Sequence, residues 1–245
     1  MALASSEGWL FLLRWIHFLA GIVWIGLLYY FNLVQTPFFA ETEPAVRSGA
    51  VQKLVPRALW WFRWGAMFTF LSGWLIILHR MGQFGGVRDF FTTSYGWAIF
   101  LGGTLGSFMW ANVWFVIWPK QKIVIANAID TAAGRPANPA AAPAGQRAGF
   151  ASRTNVIFSI PMLFYMGAAS HLPDLAVIFS RNRKIGMALV SAAIILLIQA
   201  NALFGTAGPT KKPLATIKGT LWAGFILSAV LYLLFEIAFK MPRPF

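Results

Sequence analysis

Six apolar stretches, each close to the ~20 residues a helix needs to cross a bilayer, set what this chain can fold into. They are Trp9–Val34, Ala58–Leu78, Tyr95–Trp118, Thr154–Ser170, Ile185–Gly205 and Gly219–Phe239. Backbone N–H and C=O groups in hydrocarbon must be satisfied within the chain, and a helix satisfies its own. The expected fold is therefore an all-α integral membrane bundle of about six transmembrane helices. Composition agrees: 58% of the 245 residues are hydrophobic and 11% are charged, against about 25% charged in a soluble domain.

No internal repeat or soluble domain is visible, so residues 1–245 read as one membrane domain. Glu41–Val55 and Lys120–Ala133 read as interfacial segments, and "GRPANPAAAPAGQR" (Gly134–Arg147) as a flexible linker. Met1–Gly8 carries no Lys or Arg, and the apolar run after it lacks a small-residue cleavage pattern. That run is expected to be a permanent anchor rather than a signal peptide.

The formal charge is +13. In a membrane protein, cations between apolar runs serve topology and anionic headgroups, so a lipid bilayer and no nucleic acid is the expected partner. The odd loops hold Arg47, Lys53, Arg57, Lys120, Lys122, Arg135, Arg147, Lys211, Lys212 and Lys218. The opposite side holds Arg80, Arg88, Arg181, Arg183, Lys184, Lys240 and Arg243. This bias puts the odd loops in the cytoplasm and both termini outside, in the periplasm of a bacterial inner membrane. Cysteine is absent, which excludes disulfides, thiolate metal sites and a c-type haem attached to this chain. No metal-spaced carboxylates or Ser/His/Asp set stand out.

Polar residues within the spans are the functional candidates, because such groups face the bundle interior or a wet cavity. At 100° per residue, one face of the first span carries Arg14, His17, Gly21, Trp24, Asn32 and Gln35. Neutral imidazole is the usual axial ligand of a non-covalent haem. His17, together with His79 or His171 in the same outer half of the membrane, is thus a candidate ligand for haem b. Gly21 would leave room for a flat ring against the backbone. The competing reading is a core histidine with a satisfied hydrogen bond and two histidines at span ends. Toward the other half lie Asn32, Gln35, Arg63, Asn112, Arg153, Asn155, Gln199 and Asn201. They read either as a substrate-binding polar cluster or as packing amides and snorkelling arginines. "GGTLG" (Gly102–Gly106) has the spacing that lets membrane helices approach closely, and Glu236 with Lys240 reads as an interfacial ion pair.

Several segments carry a resemblance. "HFLAGIVWIG" has the His-x6-Trp-x-Gly pattern of small haem-associated membrane families. "WFRWGAMFTFLSG" (Trp61–Gly73), "ANVWFVIWPKQKIVIA" (Ala111–Ala126), "GRPANP" (Gly134–Pro139) and "NVIFSIPMLFYMGAASHLP" (Asn155–Pro173) are more specific. Together they resemble, in order, the membrane domain of the PuuD-type urate hydroxylases of bacteria, the urate oxidase N-terminal membrane domain family. The resemblance covers about Trp9 to Pro173, with the last two spans alike in character. It implies oxidation of urate to 5-hydroxyisourate, with electrons passed to the respiratory chain. It places His17, Arg63, Asn112, Asn155 and His171 at motif positions. In that family a cytochrome c domain follows the membrane domain. This chain carries none, so a separate c-type cytochrome or larger membrane complex is the expected partner. The chain also departs from the family pattern: a Glu is Gly65, a His is Thr154, and a second Asn is Val156. These changes remove the proton acceptors that urate oxidation would use.

Three functional expectations follow. One is a membrane redox subunit, with urate or a quinol as donor and haem b near His17. Another is a non-catalytic accessory subunit of a respiratory or photosynthetic complex, favoured by the lost ionisable groups. The third is a channel or permease with its path along Asn32, Gln35, Asn112, Asn155, Gln199 and Asn201.

Overall fold

A computed structural model describes residues 2–171 and 181–239, and among these it is helical with no strands. The helices are α1 (Ser6–Tyr29), α2 (Thr36–Glu41), α3 (Pro44–Gln83), α4 (Val87–Phe90), α5 (Ser94–Ala111) and α6 (Trp118–Ala132). They are followed by α7 (Ala141–His171), α8 (Arg181–Leu203), α9 (Lys212–Ala215) and α10 (Ile217–Phe239). Five helical runs among the described residues are long and apolar enough to cross a membrane: Ser6–Glu41, Pro44–Gln83, Ser94–Ala132, Asn182–Leu203 and Ile217–Ile237.

The fourth stretch read from the sequence, Thr154–Ser170, lies in α7, which does not reach that apolarity. The reason is its position. α7 packs against α1, α5, α6, α8 and α10, and every residue from Thr154 to Ser159 is buried. A helix ringed by others shows little surface to lipid, so it tolerates Asn155 and Ser159 without meeting hydrocarbon. At ~1.5 Å per residue its 31 residues extend ~46 Å, more than a hydrocarbon core.

The long helices exceed the bilayer. α3 has 40 residues, roughly 60 Å of helix against ~30 Å of hydrocarbon. Glu41–Val55, read from the sequence as a separate interfacial segment, is mostly the first turns of α3. Lys120–Ala133 likewise continues the third span without a break. The linker is also shorter and more pinned than the sequence suggests. Only residues 133–140 lie between α6 and α7. There Arg135 bridges to Asp130 at 2.5 Å, and the Asn138 N–H donates to Asn127 Oδ1 at 2.7 Å.

Two prolines explain how these runs stay continuous. Pro37 and Pro119 have no N–H, and each ring would strike the carbonyl four residues back in an α-helix. In both places six residues ending two positions before the proline widen into a π-helix, Tyr30–Gln35 and Asn112–Ile117. Thr36 N–H bonds Phe31 O and Trp118 N–H bonds Val113 O, five residues back in each case.

The outward face of α1 carries Phe11, Trp15, Phe18 and Ile22, all more than half exposed, as lipid contact requires. Its inward face buries Leu10, Leu13, Trp24, Leu28 and Asn32. The Gly-x-x-x-Gly pair of α5 faces α7. A Cβ at Gly102 would lie 3.0 Å from Met166 Cε, and one at Gly106 would lie 3.5 Å from Met162 Sδ.

Candidate functional site

A haem iron held by this chain would need imidazole ligands. His17 Nδ1 lies 3.2 Å from Ser72 Oγ. The Ser72 hydroxyl donates to Phe68 O at 2.6 Å, so in this pair Nδ1–H is the donor and the hydroxyl oxygen the acceptor. The ring is pressed against Gly73, where a Cβ would stand 2.9 Å from His17 Cε1. Gly73 of α3 therefore makes room for the imidazole. Gly21 instead faces Thr69 at 3.8 Å. His79 Nε2 pairs with Ser6 Oγ at 3.2 Å. His17 lies on α1 and reaches Ser72 of α3, whereas His79 lies on α3 itself, seven residues beyond Ser72, roughly 10 Å along its axis. His171 is exposed at the end of α7, and Arg14 is exposed on α1. None of the cavities described below includes a histidine. This arrangement does not fit a haem held between helices by two of these side chains.

The amides separate into two groups. Asn112 Nδ2 donates to Asn155 Oδ1 at 2.8 Å and to Gln199 Oε1 at 3.0 Å, and Gln199 Nε2 returns a bond to Asn112 Oδ1 at 2.6 Å. Asn155 Nδ2 then donates to Met109 O at 3.0 Å. Asn112 and Asn155 are fully buried, and the closed network ties α5, α7 and α8 together as packing glue. Asn201 is elsewhere, donating to Thr210 O at 2.9 Å. Arg63 is elsewhere too, its guanidinium 3.9 Å from the Trp118 ring centre. The proposed polar path of six amides is thus broken into separate sites.

Asn32 and Gln35 belong to a cavity of about 470 Å³ at the end of the bundle that holds the α2–α3 and α6–α7 connections. Its walls come from the first π-helix (Phe31, Asn32, Gln35), α2 (Thr36, Phe39), α3 (Arg47, Val55, Leu59, Phe62), α6 (Gln121, Val124) and α7 (Gln146, Gly149, Phe150, Ser152, Arg153). The Pro-induced π turn sets Asn32 and Gln35 on this wall, so the uniform helical phase read from the sequence does not hold through Gln35. Asn32 Nδ2 is held by Leu28 O at 2.8 Å and Ser152 Oγ at 2.9 Å. Gln35 Oε1 is buried with no hydrogen-bond partner. Arg153 donates to Leu214 O, and Arg47 lies 5.9 Å from the Phe39 ring centre at the rim. Phe31 and Phe62 meet edge to face at 5.3 Å. A Cβ at Gly149 would meet nothing within 4 Å: this glycine keeps the cavity open.

The lining is two guanidiniums, neutral amides and hydroxyls, and flat rings, with no carboxylate or imidazole among the lining residues. Its volume lies within the roughly 300–1,000 Å³ of small-molecule pockets. Such a lining can bind a planar anion; it offers no proton acceptor of its own. The positions where the resemblance implies ionisable groups agree with this. A Cβ at Gly65 would lie 3.1 Å from Trp24 N and 3.2 Å from Ala20 O, so α1 and α3 touch there and leave no space for a Glu. A second depression, about 500 Å³ on the outside of α1 and α3, is lined by Ile22, Val23, Gly26, Leu27, Ala58 and Trp61 and is apolar.

Sequence reasoning named Asn32, Gln35 and Arg153 but missed Arg47, Phe39, Gly149 and Phe150 as members of one site. Arg47 entered only as a topological charge. Its role follows from α3 running on beyond the membrane, which no local pattern signals. The expected Glu236–Lys240 pair falls partly outside the described residues, since Lys240 is not among them; Glu236 accepts from Tyr232 Oη at 2.7 Å.

No curated protein and no solved structure matches the chain. A family model described as urate oxidase N-terminal matches residues 86–232, more than half of the chain. The match takes in Asn112, Asn155, Gln199, all of α8 and the first two thirds of α10, whereas His17, Asn32, Gln35 and Arg63 precede it. On that match, with the membrane-helix architecture already described, the chain belongs to the urate oxidase N-terminal domain family.

Proposed function

We propose that this chain is a membrane-embedded binding module for a small planar anionic heterocycle of the urate class. The observation that carries the reading is the cavity with Gln35 Oε1 buried and unpaired in its wall. A ring N–H of such a heterocycle would supply the missing donor, while Arg47 and Arg153 offset its charge. Phe31, Phe39, Phe62 and Phe150 provide faces and edges for a flat ring. By the distribution of Lys and Arg, this end of the bundle is the cytoplasmic one. Urate is a cytoplasmic metabolite in its anionic form, so the pocket would face its supply.

Oxidation of the bound ring requires an electron acceptor and a proton acceptor that the lining does not offer. Those roles are assigned to a partner, a c-type cytochrome or a larger respiratory assembly. The chain's share is binding and orientation, which unites the redox and accessory readings of the sequence.

Equilibrium binding of radiolabelled urate to the purified full chain tests this. Gly149→Leu should abolish measurable binding while leaving the melting temperature unchanged or higher, because Leu favours a helix over Gly by up to about 1 kcal/mol. Gln35→Leu should weaken binding by about three- to tenfold, the value of one neutral hydrogen bond. Urate binding that survives Gly149→Leu intact, or that a neutral heterocycle of the same size matches, would remove the proposal.

A further inference from the structure

Arg63 was expected in a substrate cluster, yet it turns away from the cavity that its neighbours Leu59 and Phe62 line. It faces the outer surface of the bundle between α3 and the third span. Its guanidinium sits 3.9 Å from the centre of Trp118 and 5.2 Å from that of Trp114. Lys122, one turn after Trp118, brings its ammonium to 5.8 Å from the same Trp118 ring. Two cations therefore gather round one indole. Among the described residues the one salt bridge joins Arg135 to Asp130, so neither cation has a carboxylate. Arg63 Nε and Trp114 Nε1 are both buried with no hydrogen-bond partner. Like charges brought together near hydrocarbon are costly without a counter-ion.

We infer that Arg63 and Lys122, gathered round Trp118, form a site for the phosphodiester of an anionic membrane lipid. The chemistry fits: guanidinium and phosphate form strong charge-assisted hydrogen bonds, and the Lys122 ammonium adds a second charged donor. A lipid rather than a soluble phosphate is the occupant because of what surrounds the cluster. Trp60 and Phe115 are 48% and 69% exposed, and Trp64 joins Trp60 to Trp114 through ring contacts at 6.4 and 5.5 Å, an apolar surface for acyl chains. Arg63 is also five residues inside the apolar stretch beginning at Ala58, ~7.5 Å along the helix, within reach of the headgroup layer. Basic clusters between helices near the cytoplasmic leaflet bind acidic headgroups in this way. The site is separate from the urate pocket and stands whether or not that reading holds.

The test is tryptophan quenching in vesicles that contain the full chain and either brominated phosphatidylglycerol or brominated phosphatidylcholine. The native chain should prefer phosphatidylglycerol, by about fivefold for each cationic side chain engaged. Lys122→Gln, at an exposed position and so safe for folding, should remove one such step, and adding Arg63→Gln should bring the preference close to one. Lys53→Gln with Arg57→Gln, which changes the charge equally on an exposed part of α3, should leave it intact. An undiminished preference in the Arg63/Lys122 variant overturns the inference, as does an equal loss in the Lys53/Arg57 control. Displacement of the lipid by millimolar inorganic phosphate would also overturn it, by showing a soluble-anion site.

Discussion

Gly96→Ala is expected to destabilise the protein by about 3–5 kcal/mol, combining overpacking with loss of a helix cap. α5 starts at Ser94, and its cap is Thr93, whose Oγ1 accepts from the Gly96 N–H at 3.0 Å. The same hydroxyl donates to Phe90 O at 2.8 Å, so the chain doubles back tightly over the first turn. A methyl group at Gly96 would overlap the Phe90 carbonyl oxygen and come within 2.9 Å of its carbon. Those atoms are backbone and have no rotamer by which to escape. Phe90 is fully buried and packs against Phe84, Phe91 and Tyr95, so moving it disturbs the aromatic cluster under the α4 loop. Unfolding in mixed micelles, followed by circular dichroism, reads the effect. A change below about 0.5 kcal/mol, the size of an ordinary surface substitution, would show that the close approach is not rigid.

Asn112→Leu should cost about 2–4 kcal/mol, more than its hydrogen bonds would suggest singly. Interhelical hydrogen bonds in membranes average only about 0.6 kcal/mol each. The larger figure arises because Leu removes one partner and strands the others. Asn155 Oδ1 and both ends of the Gln199 amide would be left buried without Asn112, and an orphaned buried polar group costs about 1–3 kcal/mol. The diagnostic is non-additivity. Replacing Asn112, Asn155 and Gln199 together by Leu should be less damaging than Asn112→Leu alone, since removing every partner leaves fewer groups unpaired. A triple variant worse than the single one, measured by the same unfolding assay, would assign these amides some role other than mutual satisfaction.

The second prediction concerns residues that were visible beforehand but whose meaning was not. Asn112, Asn155 and Gln199 were recognisable as costly residues in apolar runs, and packing glue was one of their two readings. Only the coordinates show that they bond one another, while Asn32 and Gln35 line a cavity and Arg63 faces outward. A similar limit applies to His17. Its depth in the first span was legible, and so was the need for a partner. The partner is a serine hydroxyl on α3, with Gly73 receiving the ring. Neither residue is adjacent in sequence, so no pattern in the first span could point to them.

The sequence by itself determined the class of the molecule. The length and apolarity of its runs require helices, because hydrocarbon offers no other partner for backbone hydrogen bonds. Its motifs also pointed to the urate oxidase N-terminal family. Tertiary structure alone decided that α7, which lacks a stretch as apolar as those of the other spanning helices, lies at the centre, since burial by neighbours rather than composition shields its polar groups. It likewise decided the pocket, which exists because two proline-driven π turns and helices longer than the bilayer bring Arg47, Gln35, Gly149 and Arg153 to one place. Hydropathy is a property of a single segment facing lipid, whereas a cavity is a property of the surfaces that several segments turn toward one another.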